Sequence, residues 1–341
     1  MPQTSKRPLI AGSLILVASL AGGGSALAQS PAAAPAAPAG LSGSIAISGS
    51  STVQPISTAV QELFNAGSPG VAITVDGPGT GDGFALFCAG EIDVADASRT
   101  IKAEGEADVC AQNGVEYVEL KVALDGLSVI TSAADDQLTC LSFNDLYALV
   151  GPESTGFAKW SDAQALATEL GSTTTLPDAP LTVTAPGEES GTYDFFVEKV
   201  IAPIAEARGQ DAVARPDYQA SANDLTIVEG VAGTADNATT LGWVGYAFVE
   251  ENLDRIKPLQ VDGGSGCIEP TYDTISDGSY PISRPLFIYV NTAKAAEKPE
   301  LAGFVDYYLT PGVIESVLQT VPYVGLSADE TQATADTWAN R

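Results

Sequence analysis

The sequence contains no histidine. That removes the Ser–His and Cys–His nucleophile pairs, the histidine general base and every histidine metal site. Basic residues are scarce: 15 Lys and Arg stand against 43 Asp and Glu, a formal net charge of −28. So acidic a chain repels nucleic-acid phosphates, and no nucleic-acid partner is expected. No apolar run reaches the roughly 18 residues of a spanning helix. No fixed-period repeat, Gly-x-Ser-x-Gly elbow or Walker loop is present. Cysteine is limited to Cys88, Cys110, Cys140 and Cys267. Their spacing does not suit zinc, and an even number in an exported chain points to disulfides. Of the pairings open to them, closeness in sequence favours Cys88–Cys110, leaving Cys140–Cys267.

The first 28 residues have the layout of a secretory leader. Lys6 and Arg7 precede a short apolar run, Leu9–Leu20, and Ala26-Leu27-Ala28 offers small residues for cleavage before Gln29. No cysteine sits at the cleavage site, so a lipid anchor is not expected. The mature protein is expected to be soluble and periplasmic. Residues 29–41, rich in Ala and Pro, read as an extended, poorly ordered linker.

From Ser42 onward, short apolar strands alternate with helices. The strand Ser44–Ser48 runs into Gly49-Ser50-Ser51-Thr52, and Val71–Val75 into Gly77-Pro78-Gly79-Thr80-Gly81-Asp82-Gly83. Ile92–Ala95 ends in Asp96-Ala97-Ser98-Arg99, and Leu181–Thr184 leads to Pro186-Gly187-Glu188-Glu189-Ser190-Gly191-Thr192. Each turn opens a helix or ends a strand, where unpaired backbone N–H groups and hydroxyls gather at the positive end of a helix dipole. One such turn is ordinary capping. Four on one chain, with a single arginine among them, point to a small oxyanion.

The alternation predicts an α/β fold with mostly parallel sheets flanked by helices. Its length calls for two lobes, with ligand held at the carboxyl ends of strands in a cleft that closes by a hinge. Val115–Ala123, Leu127–Thr131 and Lys257–Val261 read as separate strands. Trp160, Trp243, Phe195 and Phe196 read as core.

The chain resembles the periplasmic phosphate-binding proteins, the solute receptors of high-affinity phosphate ABC transporters. The resemblance spans the mature chain and is carried by Gly49-Ser50-Ser51-Thr52-Val53, Gly79-Thr80-Gly81-Asp82-Gly83-Phe84, Ala97-Ser98-Arg99, Glu189-Ser190-Gly191-Thr192, Gly242-Trp243-Val244-Gly245-Tyr246 and Ser283-Arg284-Pro285-Leu286-Phe287-Ile288-Tyr289-Val290. It implies the two-lobed periplasmic-binding-protein fold of type II. Residues 42–126 with 284–341 would form one lobe and 127–283 the other, with crossings near Asp125–Ser128 and Arg284–Ile288. It implies a monomer that takes inorganic phosphate, needs no cofactor and docks on a membrane permease. The ligand set would comprise Ser51, Thr52, the Val53 N–H, Thr80, Ser98, Ser190, Gly191 and Thr192. Many family members carry an aspartate after the Ala-Ser of strand three and an arginine before Ser-Gly-Thr. Here Arg99 holds the first position and no arginine the second, which suggests a swap: Arg99 supplies the guanidinium and Glu189 or Asp82 the carboxylate. A carboxylate that accepts the proton of monohydrogen phosphate would reject sulfate, which has none to give. Molybdate, tungstate or sulfate are the competing ligands. An exported phosphatase lacks its usual base, and a purely structural protein would leave the turns idle.

Overall fold

In this computed structural model, residues 1, 34–188, 190–233, 239–321 and 323–341 are described. The leader expected at residues 1–28 and Glu189 therefore lie outside the described residues, Met1 apart. The strands are, in chain order, β1 (Ser42–Gly49), β2 (Gly70–Asp76), β3 (Val94–Ala97), β4 (Tyr117–Ser132), β5 (Cys140–Ser142), β6 (Thr182–Ala185), β7 (Gln219–Ala220), β8 (Thr240–Gly245), β9 (Ile256–Pro258), β10 (Gln260–Asp262), β11 (Cys267–Ile268) and β12 (Ser283–Asn291). Nine of them join in one sheet, β2-β1-β3-β12-β4-β8-β6-β7, with β9 also on β4. The remaining three form a small sheet, β11-β10-β5. Among the described residues no helix is long and apolar enough to cross a membrane.

The sheet is less parallel than the alternation predicts. Strands β1, β2 and β3 pair parallel, as do β6, β7 and β8. The exceptions are β4 and β12, which run antiparallel to their neighbours. The cause is topological: β12 returns from the second half of the sheet and slots between β3 and β4. The expected break between Val115–Ala123 and Leu127–Thr131 is absent, and β4 is one strand of 16 residues. It pairs with β12 as far as Gly126 and with β8 from Leu127. Asp125 and Gly126 are thus held in register by β12, immediately before β8 takes over, instead of turning. The strand expected over Lys257–Val261 is split between the two sheets, because the Leu259 N–H between its pieces bonds Val129 O of β4.

Apolar side chains fall into two large clusters on either side of this change of partner. One gathers Ile45, Ile47, Val60, Phe64, Leu120, Ile288, Phe304 and Tyr308. The other gathers Val129, Leu146, Trp160, Phe195, Phe196, Trp243 and Ile282. The helices that bury them begin where the sequence supplies caps. α1 (Gln54–Gly67) has proline in its first turn and buries Ile56, Val60 and Phe64 at helical spacing. α2 (Thr80–Cys88) buries Phe84 and Phe87. A C-terminal helix, Ala328–Ala339, opens on a Ser327/Glu330 capping box and sends Trp338 into the first cluster.

Both disulfides pair as sequence proximity favours, Cys88–Cys110 and Cys140–Cys267. They close loops of 22 and 127 residues, which on chain entropy corresponds to about 3 and about 5 kcal/mol. The linker departs from expectation. Residues 34–41 lie on the body: Tyr307 Oη donates to Pro35 O at 2.9 Å and Ser68 Oγ to Pro38 O, while Ala37 and Leu41 pack on the first cluster. Alanine and proline lose little side-chain entropy on docking, so a few such contacts suffice to hold them.

Candidate functional site

The site forms where β1, β3 and β12 deliver their ends beside α1 and α2. At the end of β1, Gly49 adopts φ +146°, and a Cβ there would stand 2.1 Å from Asp96 O, so only glycine fits. The chain then turns tightly. Ser50 N–H donates to Asp96 O at 2.8 Å, and Thr52 N–H to Ser50 Oγ at 3.2 Å. Gly79 N–H donates to Gly49 O at 2.8 Å, tying the second turn to the first. The third turn joins them through Ser98, whose N–H donates to Thr80 Oγ1 at 3.2 Å.

These turns enclose a cavity of about 260 Å³ lined by Ser50, Ser51, Thr52, Gly79, Thr80, Ser98, Arg99, Asp194, Glu198 and Arg284. At its floor stands Arg284, cross-strand neighbour of Asp125 in the β12–β4 register. Its Nε donates to Asp125 Oδ2 at 3.1 Å, Nη2 to Thr52 Oγ1 at 2.8 Å, and Nη1 to Ser98 Oγ and Glu198 Oε2, each at 3.3 Å. The guanidinium lies 3.7 Å above the Phe195 ring and is only 8% exposed. Burial pushes the Asp125 carboxyl up, against the pull of Arg284. Arg284 is thus locked on three sides by a carboxylate, a ring and two hydroxyls.

The lock orients donors. Thr52 Oγ1 accepts from Arg284, which leaves its own proton for another acceptor. Ser98 Oγ also accepts from Arg284 and shares a hydrogen bond with Thr80 Oγ1 at 3.1 Å. The result is a cation with hydroxyls fanned around it, the donor set of an oxyanion site.

Of the residues expected from sequence, Ser51, Thr52, Thr80, Ser98 and Arg99 line this one cavity. Gly191 comes from the other side: its Cβ position is 3.4 Å from Thr52 Oγ1, so the start of the helix Gly191–Phe196 abuts the first turn. Ser190 and Thr192 flank it but do not line the cavity; Ser190 Oγ caps the Thr192 N–H.

Three expectations are corrected. Val53 is fully buried and its N–H donates to Ser50 O at 3.1 Å, so it closes the turn instead of facing the cavity. Asp82 is exposed and outside the lining, because its place in the first turn of α2 points it to solvent. Arg99 is not the single guanidinium of the site. It is 30% exposed and gripped by Glu106, Nη2–Oε1 2.7 Å and Nη1–Oε2 2.8 Å. That contact raises the Arg99 pKa and holds the Glu106 carboxyl low. The carboxylates that do line the cavity are Asp194 and Glu198. Burial raises the Asp194 pKa, opposed by Arg284 and reinforced by Glu198. Phe195, expected as plain core, is the platform under Arg284. Signals for Arg284 and Asp125 were present in the sequence, as one of few arginines and as an aspartate inside an apolar strand.

Beneath the first turn lies Asp96, fully buried with Ser57 Oγ donating to it at 2.9 Å. Burial pushes its pKa up to about 7. Among the described residues no group of three or more metal-ligating side chains is gathered.

A family profile described as a PBP superfamily domain matches residues 34–311. Protein SphX of Synechocystis sp. is 39% identical over 275 residues, covering 80% of this chain and 76% of its own. The phosphate-binding protein PstS of Staphylococcus epidermidis is 33% identical over 275 residues, covering 79% and 75%. A crystal structure of a possible phosphate-binding protein from Planctomyces limnophilus superposes with a TM-score of 0.76 at 35% identity, covering 88% of this chain and 99% of that one.

Proposed function

The chain belongs to the PBP superfamily, among the phosphate-binding proteins with the periplasmic-binding-protein fold, and from that premise we propose that it captures inorganic phosphate between Arg284 and the Thr52–Thr80–Ser98 hydroxyls. Members of this family are receptors, not enzymes. The observation that carries the reading is the buried Arg284, fixed by Asp125 and Phe195 with its Nη atoms on Thr52 and Ser98. A phosphate oxygen takes the place of Glu198 on Nη1, and Arg99 closes the rim. The backbone of Ser190–Thr192 approaches from the far wall.

Residues 42–126 with 284–341 form one lobe and 127–283 the other, hinged where β4 and β12 pass between them. Closure brings Asp194 onto the ligand, where it accepts the proton of monohydrogen phosphate. Asp82 is set aside for that role because it lies outside the cavity lining. The protein is exported through a cleaved leader, works as a monomer in the periplasm and delivers phosphate to an ABC permease.

Calorimetry on phosphate-stripped protein tests this directly. Phosphate binds with submicromolar affinity. Sulfate, with no proton for the carboxylate, binds at least about ten-fold more weakly, since a buried acceptor left unpaired costs about 1–3 kcal/mol. Absence of heat with phosphate, or tighter binding of molybdate or sulfate, refutes the assignment.

A further inference from the structure

A second cavity, larger than the first at about 450 Å³, lies on the other side of the helix that carries Asp194 and Glu198. That helix runs from Gly191 through a π-turn, Val197–Ile201, into Ala202–Arg208. The π-turn holds adjacent residues in different cavities: Glu198 lines the first and Lys199 the second. Single π-turns inside helices are frequent at functional positions. The wall opposite Lys199 comprises Ser142, Asn144, Ser172, Thr173, Thr174 and the Asp262–Gly264 loop, with the Cys140–Cys267 disulfide at one end.

The charge arrangement here is unlike the rest of the chain. Cations elsewhere are mostly tied to carboxylates, as in Lys159–Asp178, Arg208–Glu153, Arg215–Asp217 and Lys298–Asp93. Lys199 has no ion pair or side-chain hydrogen bond among the described residues, despite the large excess of acids. The one carboxylate in the lining, Asp262, is turned to its own loop, accepting from Gly264 N–H at 2.7 Å and Gly266 N–H at 2.9 Å.

The hydroxyl wall has a defined polarity. Ser142 Oγ, Ser172 Oγ and Thr174 Oγ1 each donate their single proton to the buried Asp145 carboxylate behind them. Ser142 Oγ and Ser172 Oγ also accept from the Asp145 and Thr174 N–H groups, so each keeps one lone pair for the cavity and Thr174 Oγ1 keeps two. A guest therefore meets acceptors on this wall and an ammonium on the other. Sulfate offers no donor to the hydroxyls and monohydrogen phosphate only one, and neutral polyols offer no charge to the lysine.

We propose that this cavity is a second ligand site, for a polyhydroxylated anion of hexose size whose anionic group pairs with Lys199 and whose hydroxyls donate to Ser142, Ser172 and Thr174. Sugar acids and sugar phosphates share this chemistry. The two cavities share no lining residue.

The test is calorimetry on phosphate-saturated protein titrated separately with gluconate, glucose 6-phosphate and glucose. Binding of gluconate or of glucose 6-phosphate is expected, with glucose at least about ten-fold weaker because it lacks the charge-assisted hydrogen bond to Lys199. Binding of both anions means that charge and hydroxyls suffice; binding of one identifies carboxylate or phosphate as the headgroup. Lys199→Met lowers that affinity at least ten-fold while phosphate affinity of the stripped variant stays within two-fold, which also shows that the variant is folded. No heat from either anion, glucose binding as tightly as they do, or full affinity in Lys199→Met overturns the proposal.

Discussion

Two arginines border the same cavity, and their surroundings differ. Arg284 sits on a strand at the change of pairing, 8% exposed, with carboxylate, aromatic and hydroxyl contacts already made. Arg99 sits in a loop beside the cavity mouth, 30% exposed and paired with Glu106. The first is preorganised: Asp125 and Phe195 fix its rotamer and do not need to move when an anion arrives, and only the contact to the exposed Glu198 is given up. The second must leave, or share, an existing carboxylate. Closeness to a Gly/Ser/Thr turn in sequence is therefore a poorer guide to an anion-binding arginine than the rigidity of what lies around it.

Breaking the pair at Arg284 has the largest expected effect. Arg284→Ala abolishes phosphate binding at micromolar protein and leaves Asp125 buried without its cation, a loss of about 3–5 kcal/mol in stability. Chemical denaturation and calorimetry on the same variant read both. An Arg284→Ala protein of unchanged stability and affinity would dissolve the distinction between the two arginines.

Asp125 and Asp96 sharpen the comparison from the other side. Both are buried carboxyls with raised pKa values, but Asp125 has a guanidinium and Asp96 a hydroxyl. For Asp96 the folded value, about 7, lies above the ordinary 3.8. Between these values the native state holds more protons than the unfolded one, so this group's contribution to stability falls as pH rises from about 4 to about 7. Asp96→Asn removes that slope and stabilises the protein at pH 8, by up to about 4 kcal/mol. The difference between variant and wild-type denaturation curves across pH isolates it from the carboxyls held low elsewhere. A pH-independent difference would mean that Asp96 stays ionised.

Arg99→Ala is a smaller change, about ten-fold in phosphate affinity. Smaller still is Glu106→Gln. It frees Arg99 from its carboxylate partner and tightens phosphate a few-fold, the modest return of a partly exposed ion pair. If Glu106→Gln weakens binding, Glu106 positions Arg99 instead of competing for it.

How much of this was legible in the sequence varies with the kind of physics involved. The turns at Gly49–Thr52, Gly79–Thr80 and Ala97–Arg99 were readable because helix starts and glycine turns are local. That they meet in one cavity followed from parallel strands placing their carboxyl ends together. Arg284 and Asp125 were not assigned, because their pairing spans 159 residues and depends on β12 slotting antiparallel between β3 and β4. Asp82 and Val53 were misassigned since a helix start has several polar groups, and only its rotation decides which one faces the ligand. The C-terminal helix was passed over although Ser327 and Glu330 carry its capping signal. The tail at 34–41 was misread because composition reports flexibility in isolation and says nothing of a docking surface.

Arsenate is a heavier analogue of phosphate whose position diffraction can locate by anomalous scattering. Crystals of the wild-type protein with arsenate are predicted to show one strong arsenic peak within hydrogen-bonding reach of Thr52, Thr80, Ser98 and Arg284, with Asp194 drawn against it. An arsenic peak that avoids Arg284, or sits only at Lys199, would contradict the account.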